Sequence, residues 1–291
     1  MASIDQTICE KLSVEPIRIK PMMTEMLYKR FNQLSNKNVY YNLGDFIDFF
    51  NQHTSSLTAP EKEAIIRLLL HQGLSLQFWN PQCNVTIPVK HHLEHQVQRI
   101  KHDIIHQDTG YFSAFNDNTL KDAAILRGKL LPVGLGVVET GIQLVRRPLI
   151  TGPILQRLTF LHLFLRKPLG LTTFFQHHLH KAMMDGFHEA GWKALYRTIA
   201  ELLDANPDYK GHNGSAWFYD PNMRHISPHL SYIAQISKSG GAYHFNLGED
   251  RSGYALSKSK KRQKLFNDGL YRPLLYMVVW HKEDMIRSMQ I

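Results

Sequence analysis

The second half of the chain alternates strand-like and helix-like apolar segments, and this alternation restricts the fold more than any other feature. From residue 129 to residue 291 the order is strand, strand, helix, strand, helix, strand, helix, strand, helix, strand. Residues 274–280 form a continuous apolar run, which is typical of a strand covered on both faces. We therefore predict an α/β fold of the α+β type, in which helices cover the faces of one mixed sheet.

The first part of the chain shows helical periodicity. Residues 40–53 and 59–72 each place apolar side chains at three- and four-residue spacing, and Thr58 before Pro60 is typical of a helix start. Turn-forming residues concentrate between residues 109 and 129. We predict a helical N-terminal region, residues 1–120, followed by a mixed α/β domain, residues 121–291.

A predicted helix over residues 90–107 is rich in histidine. Four of the histidines fall on one helix face, and the apolar residues fall on the opposite face. These four are His91, His95, His102 and His106. Because metal ligands need a supported environment, this pattern predicts solvent-exposed histidines rather than a metal site.

Two basic segments account for the net charge of +9. Residues 121–181 carry +7 and residues 251–291 carry +6, while the rest of the chain is slightly acidic. Three consecutive cations, Lys260, Lys261 and Arg262, lie on a predicted helix. Such segments form either a solvated surface or a site for an anionic ligand, and we take these three residues as candidates for binding a phosphorylated cofactor.

The cysteines and the N-terminal residues indicate in which cellular compartment the protein is expected. Cys9 and Cys83 are the two cysteines, so the chain forms at most one disulfide and no zinc site built from thiolates alone. Residues 1–6 lack the features of a secretory signal, so we expect a cytoplasmic protein. Charged residues and a proline interrupt the most apolar segment, residues 153–175, so no transmembrane segment is expected.

That segment includes a predicted helix with leucines at helical spacing. Leu155, Leu158, Leu161 and Leu165 recur at three- and four-residue intervals. A stripe of this kind usually belongs to the core, and we prefer that interpretation. The alternative is a basic amphipathic helix lying on a membrane surface.

The densest group of candidate catalytic residues lies in residues 177–232. His180 and Asp220 follow predicted strands, where ligands of open α/β sheets bind. A histidine oriented by a carboxylate is a general base, so we predict this role for His180 with Asp220 beside it. His178 shares a strand face with His180, and the three residues together are an alternative metal site. The aromatic residues around Asp220 are equally consistent with a core and a turn.

The order of elements in residues 129–291 resembles that of the GNAT superfamily of acyltransferases. In that family a strand, a helix, a strand, a helix and a final strand pair follow one another, and a splayed sheet admits an acyl thioester. A tyrosine on the helix after the fifth strand often protonates the leaving thiolate, and Tyr232 lies on the matching helix. The family's glycine-rich phosphate signature is absent from residues 180–186, which read HKAMMDG.

This resemblance implies an acyltransferase that acts on a small amine with acyl-CoA or another acyl thioester as the donor. Because one fold serves many functions, two other classes stay open. One is the metal-dependent enzyme described above. The other is a protein that binds an anion or a nucleic acid without catalysis. Because no nucleic-acid-binding motif is present, we do not expect a nucleic acid as the partner.

Overall fold

The computed structural model describes residues 4–15, 21–33, 40–41, 43–75, 79, 81–166 and 173–290. The chain divides into two compact units. The first contains Met1–Pro132 and the three residues His180–Ala182. The second contains Val133–Leu179 and Met183–Ile291.

The described residues of the first unit form helices and one short strand. Their bounds are α1 (Ile4–Lys11), α2 (Pro21–Asn32), α3 (Gly44–His53), α4 (Ala59–Gly73), α5 (Ile87–His106), α6 (Asp117–Leu126) and β1 (Leu130–Pro132). Helix α4 begins with a capping box in which Glu61 accepts a hydrogen bond of 2.7 Å from the Thr58 amide. This confirms the predicted helix start at Thr58.

The histidine-rich helix of this unit has the predicted orientation. On α5, Leu93 and Ile100 are buried. All four histidines of the opposite face are exposed. The prediction that they face solvent is therefore confirmed.

The second unit contains the sheet. Its elements are β2 (Gly136–Ile142), α7 (Ile154–Arg166), β3 (Thr173–Leu179), α8 (Glu189–Ala205), β4 (Tyr209–Ala216), α9 (Met223–Ile226), α10 (Ser231–Ser239), β5 (Tyr243–Glu249), α11 (Tyr254–Ser257), α12 (Lys260–Asn267), β6 (Leu274–His281) and α13 (Lys282–Met289). The strands of this unit are ordered β2-β3-β4-β6-β5. Strands β3 and β4 run parallel, and the other neighbours run antiparallel. The predicted α/β class, a mixed sheet with helices preceded by a mainly helical part, is confirmed.

One predicted strand is wrong. The apolar sequence of residues 141–150 favours a second extended segment after a turn at Gly141. Instead β2 continues through Gly141, whose φ of +78° accompanies a shift of register between Glu139 and Ile142. A bulge of this kind accepts glycine readily because glycine tolerates positive φ. Beyond it, Arg147–Leu149 forms a short 3₁₀ helix that contains Pro148, which has no amide to donate to a strand ladder.

Helix α7 lies against β5, the edge strand of this unit. The Gln156 side chain accepts from the Asn246 amide at 2.7 Å and donates to the Asn246 carbonyl at 3.0 Å. Phe160 of the helix meets Phe245 of the strand with ring centroids 5.0 Å apart. These contacts fix the buried face of α7.

The leucine stripe of α7 faces solvent. Leu155 is 75% exposed and Leu165 is 69% exposed, and Leu158 and Leu161 are also exposed. The preferred interpretation of this stripe as core is therefore wrong. The helix is apolar on most of its circumference, and the side packed on β5 is formed by Phe160 and Leu163 instead.

No described helix combines the length and apolarity that are needed to cross a membrane.

Candidate functional site

Asp220 is held in a fixed turn after the end of β4. The strand is followed by a 3₁₀ turn, Trp217–Tyr219, and then by Asp220 and Pro221. One carboxylate oxygen of Asp220, Oδ1, accepts from the Asn222 amide at 2.9 Å. Aspartate commonly closes a turn in this way, two residues before the donor. The sequence thus places this carboxylate at the carboxyl end of a sheet strand, as predicted.

The other carboxylate oxygen of Asp220 is buried without a partner. Oδ2 has no hydrogen-bond partner among the described residues, and Asp220 is only 1% exposed. Burial raises the pKa of the Asp220 carboxyl, against the Asn222 amide and the Lys238 ammonium, which lower it. A buried carboxylate oxygen without a partner is unusual and is often found at a functional site, so Asp220 marks a candidate site.

Two tyrosines lie close enough to Asp220 to sense its charge. Burial raises the pKa of Tyr271 to about 12, and the negative charge of Asp220 adds to this rise. The Tyr271 hydroxyl is also buried without a partner among the residues that the structure describes. The pKa of Tyr276 is raised by the same two causes. Within this small polar group, one Asp220 oxygen and the Tyr271 hydroxyl have unused hydrogen-bonding capacity, while Tyr276 bonds the Asn246 side chain.

Arg262 connects helix α12 to this group. Its guanidinium donates to the Ala255 carbonyl and, at 3.0 Å, to the Ser227 hydroxyl, and it lies 4.4 Å from the centroid of the Trp217 ring. Burial lowers the pKa of Arg262, and the nearby Tyr271 opposes this shift. We call Asp220, Tyr271, Tyr276 and Arg262 the Asp220 cluster. Of the three cations predicted to bind a cofactor, Arg262 is therefore directed inward, whereas Lys260 and Lys261 are exposed.

A chain of hydrogen bonds runs through the core beside the Asp220 cluster. We call it the His–Tyr chain, and its members in order are His212, His177, Tyr219, Tyr196, Ser237 and His244. The distance between His212 Nε2 and His177 Nδ1 is 2.7 Å, and that between the two tyrosine hydroxyls is 3.1 Å. Trp192 meets the His177 ring edge to face, with centroids 5.5 Å apart. Tyr219 directly precedes Asp220 in the sequence, so the His–Tyr chain and the Asp220 cluster are connected by neighbouring residues.

The direction of the hydrogen bonds in this chain follows from one donor. Ser237 donates to the Ala234 carbonyl at 3.2 Å, so its oxygen accepts from the neighbours on both sides. Every link is then satisfied if the protons of His212, His177, Tyr219 and Tyr196 point towards Ser237 and the Nε2 proton of His244 points towards Ser237 from the other side. In this assignment the Nδ1 atom of His212 is an acceptor without a partner among the described residues.

The histidines of the chain are neutral. Burial lowers the pKa of His177 to about 3 and that of His244 to about 4. Burial also lowers the pKa of His212 well below its ordinary value. The pKa values of Tyr219 and Tyr196 are raised by burial. At neutral pH the whole chain is therefore uncharged, as a fully buried network requires.

The parallel pairing of strands β3 and β4 ends next to this network. Their parallel pairing extends from Thr173 and Tyr209 to Gln176 and Asn213. Beyond that point β3 pairs with β2 as far as Leu179, while β4 pairs with β6. The His177 ring lies directly after the last paired residues, where a Cβ at Gly214 would overlap it. Glycine here therefore permits the ring to lie against the backbone of the neighbouring strand.

His180 has the surroundings of a structural histidine. It belongs to the first unit and is fully buried. Its Nδ1 accepts from the Ala182 amide at 3.1 Å, and its Nε2 lies 3.1 Å from an oxygen of Asp122, which also pairs with Arg99. Because both ring nitrogens are occupied, neither is available to a substrate. The orienting carboxylate is Asp122 in place of the predicted Asp220.

The remaining predicted residues are distributed over the second unit. His178 Nε2 lies 3.0 Å from Glu139 on the neighbouring strand β2. Tyr232 is half-buried on α10, and its pKa is raised by burial and by the negative charge of Glu189. The described residues include no group of three or more His, Cys, Asp or Glu side chains that would hold a metal ion. The alternative metal set of His178, His180 and Asp220 is therefore not assembled.

Sequence reasoning missed Tyr271 and most of the His–Tyr chain. A partial signal was present, because the alternation of β3 places His177 on the same face as the buried Phe175. A histidine in that position needs a buried partner, and residues 177–232 contain several candidates. Tyr271 lies in a loop after α12, where no periodic pattern predicts burial.

The protein was compared with models of protein families, with curated proteins and with solved structures, and none of the three comparisons finds a match.

Proposed function

We propose that this protein is an acyltransferase-like enzyme of the GNAT type that transfers an acyl group from a thioester, such as acyl-CoA, to a small amine. The proposal rests on one observation, the end of the parallel pairing of β3 and β4 at Gln176 and Asn213, with Asp220 following the end of β4. The GNAT superfamily, which the order of elements resembles, admits its acyl thioester where the sheet is splayed. The helices α8 and α10 occupy the corresponding places between strands.

The chemistry assigns one proton transfer to each of two residues. The amine nitrogen attacks the thioester carbonyl, so an N–C bond forms and the C–S bond breaks. Asp220 accepts the proton that the amine loses, and its raised pKa makes it a stronger base than an exposed aspartate. The departing thiolate takes a proton from Tyr232. His180, which is enclosed by its own partners, has no part in this step.

The phosphates of the donor need cations, and α12 offers them. The segment before α8 lacks the glycine-rich signature of the family, so backbone amides there are not expected to hold the phosphates. Lys260 and Lys261 are exposed at the start of α12, and Arg262 anchors this helix on Trp217. We therefore assign the phosphates to these two lysines. We place the reaction in the cytoplasm, in keeping with the two free cysteines.

The test of the catalytic role is Asp220→Asn. Asparagine keeps an oxygen for the Asn222 amide but cannot accept the amine proton, so we expect turnover to fall by about 10²–10⁴-fold with a nearly unchanged melting temperature. Acyl transfer to a panel of small amines is measured with free thiol as the product. Asp268→Asn, an exposed aspartate after α12, is the matched control and should retain full turnover.

Two results would overturn the proposal. The first is that acyl-CoA of every chain length tested leaves the melting temperature of the wild-type protein unchanged, because a ligand that binds the native state must stabilise it. The second is that Asp220→Asn retains the turnover of the wild type.

The lysines of α12 give a separate prediction. Replacing Lys260 and Lys261 by glutamate should weaken acyl-CoA binding clearly at low salt and much less at high salt, because salt screens exposed charges. Titration calorimetry at two ionic strengths measures the difference. The same charge change at Lys210 and Arg287, two exposed cations on other elements, serves as the control. Equal low-salt affinity in both variants would mean that the α12 lysines are only a solvated surface.

A further inference from the structure

Exposed apolar side chains are concentrated in one short part of the second unit. Seven of the fifteen large apolar side chains that are exposed in the described part of the chain lie between residues 145 and 165. They are Val145, Ile150, Ile154, Leu155, Leu158, Leu161 and Leu165. A soluble surface scatters such side chains singly, so a contiguous group of this kind marks an interaction surface. We call these seven residues the α7 surface.

The α7 surface is held rigidly. Ile154, Leu158, Leu161 and Leu165 recur at three- and four-residue spacing, so they project from one face of the helix. The opposite face is fixed on β5 through Phe160, Leu163 and the two hydrogen bonds of Gln156. The exposed leucines therefore cannot turn inward without breaking the packing of the other face.

The charged side chains of the sequence segment that carries the α7 surface are all positive. The sequence from residue 140 to residue 184 contains six lysines and arginines and no aspartate or glutamate. Arg146, Arg147 and Arg157 are exposed beside the apolar side chains. An occupant of this surface must therefore be apolar in its interior and negatively charged at its boundary.

We propose that the α7 surface docks on an anionic lipid membrane, with the leucines and isoleucines inserted among the acyl chains and the three arginines at the head groups. A helix with an apolar face bordered by cations binds interfaces in this manner. A second copy of the chain is disfavoured, because it would bring the same acid-free segment into contact with itself. This proposal does not depend on the proposed enzymatic function.

Vesicle co-sedimentation of the whole 291-residue chain tests the proposal. We expect binding to vesicles of phosphatidylcholine mixed with phosphatidylglycerol and little binding to phosphatidylcholine alone. The double variant Leu155→Ser with Leu158→Ser should bind the anionic vesicles at least about tenfold more weakly, because two large apolar side chains no longer insert. Leu270→Ser, at a leucine that is 74% exposed outside this surface, is the matched control and should bind like the wild type.

The contribution of the arginines to membrane binding is tested with separate variants. Arg146→Gln with Arg157→Gln should weaken binding to anionic vesicles, and the loss should shrink as salt rises. Arg224→Gln, an exposed arginine on α9, is the control. Because every substituted side chain is exposed, circular dichroism should show unchanged folding.

Three outcomes would overturn the proposal. The first is that the wild-type protein does not sediment with anionic vesicles. The second is that the variant with Leu155→Ser and Leu158→Ser binds these vesicles as tightly as the wild type. The third is a wild-type dimer in analytical ultracentrifugation that dissociates when Leu155 and Leu158 are replaced, which would assign this surface to a second copy of the chain.

Discussion

Replacing Trp192 by alanine is expected to lower the free energy of unfolding by about 3–5 kcal/mol. Trp192 lies on α8 and is fully buried. Its ring meets those of Phe187, Phe218 and His177, with centroids 5.5–5.9 Å apart. Alanine would leave a large cavity between α8 and the sheet, and the aromatic neighbours are too constrained to fill it. Chemical denaturation monitored by circular dichroism measures the loss.

A neighbouring residue of the same helix provides the control. Arg197 is exposed on α8, and Arg197→Ala should change the free energy of unfolding by less than about 0.5 kcal/mol. A loss below about 1 kcal/mol for Trp192→Ala would contradict the packing of α8 on the sheet through this side chain.

Acid is expected to destabilise the protein strongly between pH 6.5 and pH 4. In the folded state the pKa of His177 is about 3 and that of His244 about 4, and that of His212 is also lowered. In the unfolded chain each of these histidines takes up a proton near its ordinary pKa of about 6.5. The unfolded state thus binds more protons in this range, so stability is fully present above pH 6.5 and falls as the pH decreases. Each histidine contributes about 1.4 kcal/mol per pH unit.

The slope can be assigned to the His–Tyr chain by substitution. His212→Asn removes one titrating group while keeping a donor for His177, so the dependence of unfolding free energy on pH should become shallower by about 1.4 kcal/mol per pH unit. His229→Gln replaces an exposed histidine and should leave the slope unchanged. Equal slopes for the wild type and His212→Asn would show that His212 is protonated in the folded state.

Local patterns in the sequence predicted the elements, because hydrophobic periodicity reports which side of a helix or strand is buried. Helix α8 and the presence of β4 were found in this way, but the predicted strand continued to Tyr219, whereas β4 ends at Ala216 and a 3₁₀ turn follows. Periodicity does not show which apolar face of a helix is covered by another element. Helix α7 is an example. Both sides of that helix are apolar, so the spacing of its leucines alone did not distinguish the face on β5 from the face in solvent.

The partners of buried polar groups were the hardest part to predict. His180 and Asp122 are far apart in the sequence and meet at 3.1 Å through the tertiary fold. The prediction paired His180 with Asp220 because both follow strands, and residues at the carboxyl ends of strands often meet at one edge of a sheet. That rule does not say which of these residues are in contact. Asp220 itself was found, because an aspartate before a proline at a strand end has a local signature. Its neighbour Tyr271 has no such signature.

The contact between Gln156 and Asn246 has a consequence for how the protein behaves at high concentration. An edge strand such as β5 offers unused amides and carbonyls, to which the strand of another molecule can add. The Gln156 side chain presents a donor and an acceptor to one backbone residue of β5, as a neighbouring strand would. A foreign strand that approached this edge would first have to displace the amide together with the helix that carries it. The same glutamine that anchors α7 therefore protects the sheet from growing into a fibril at this edge.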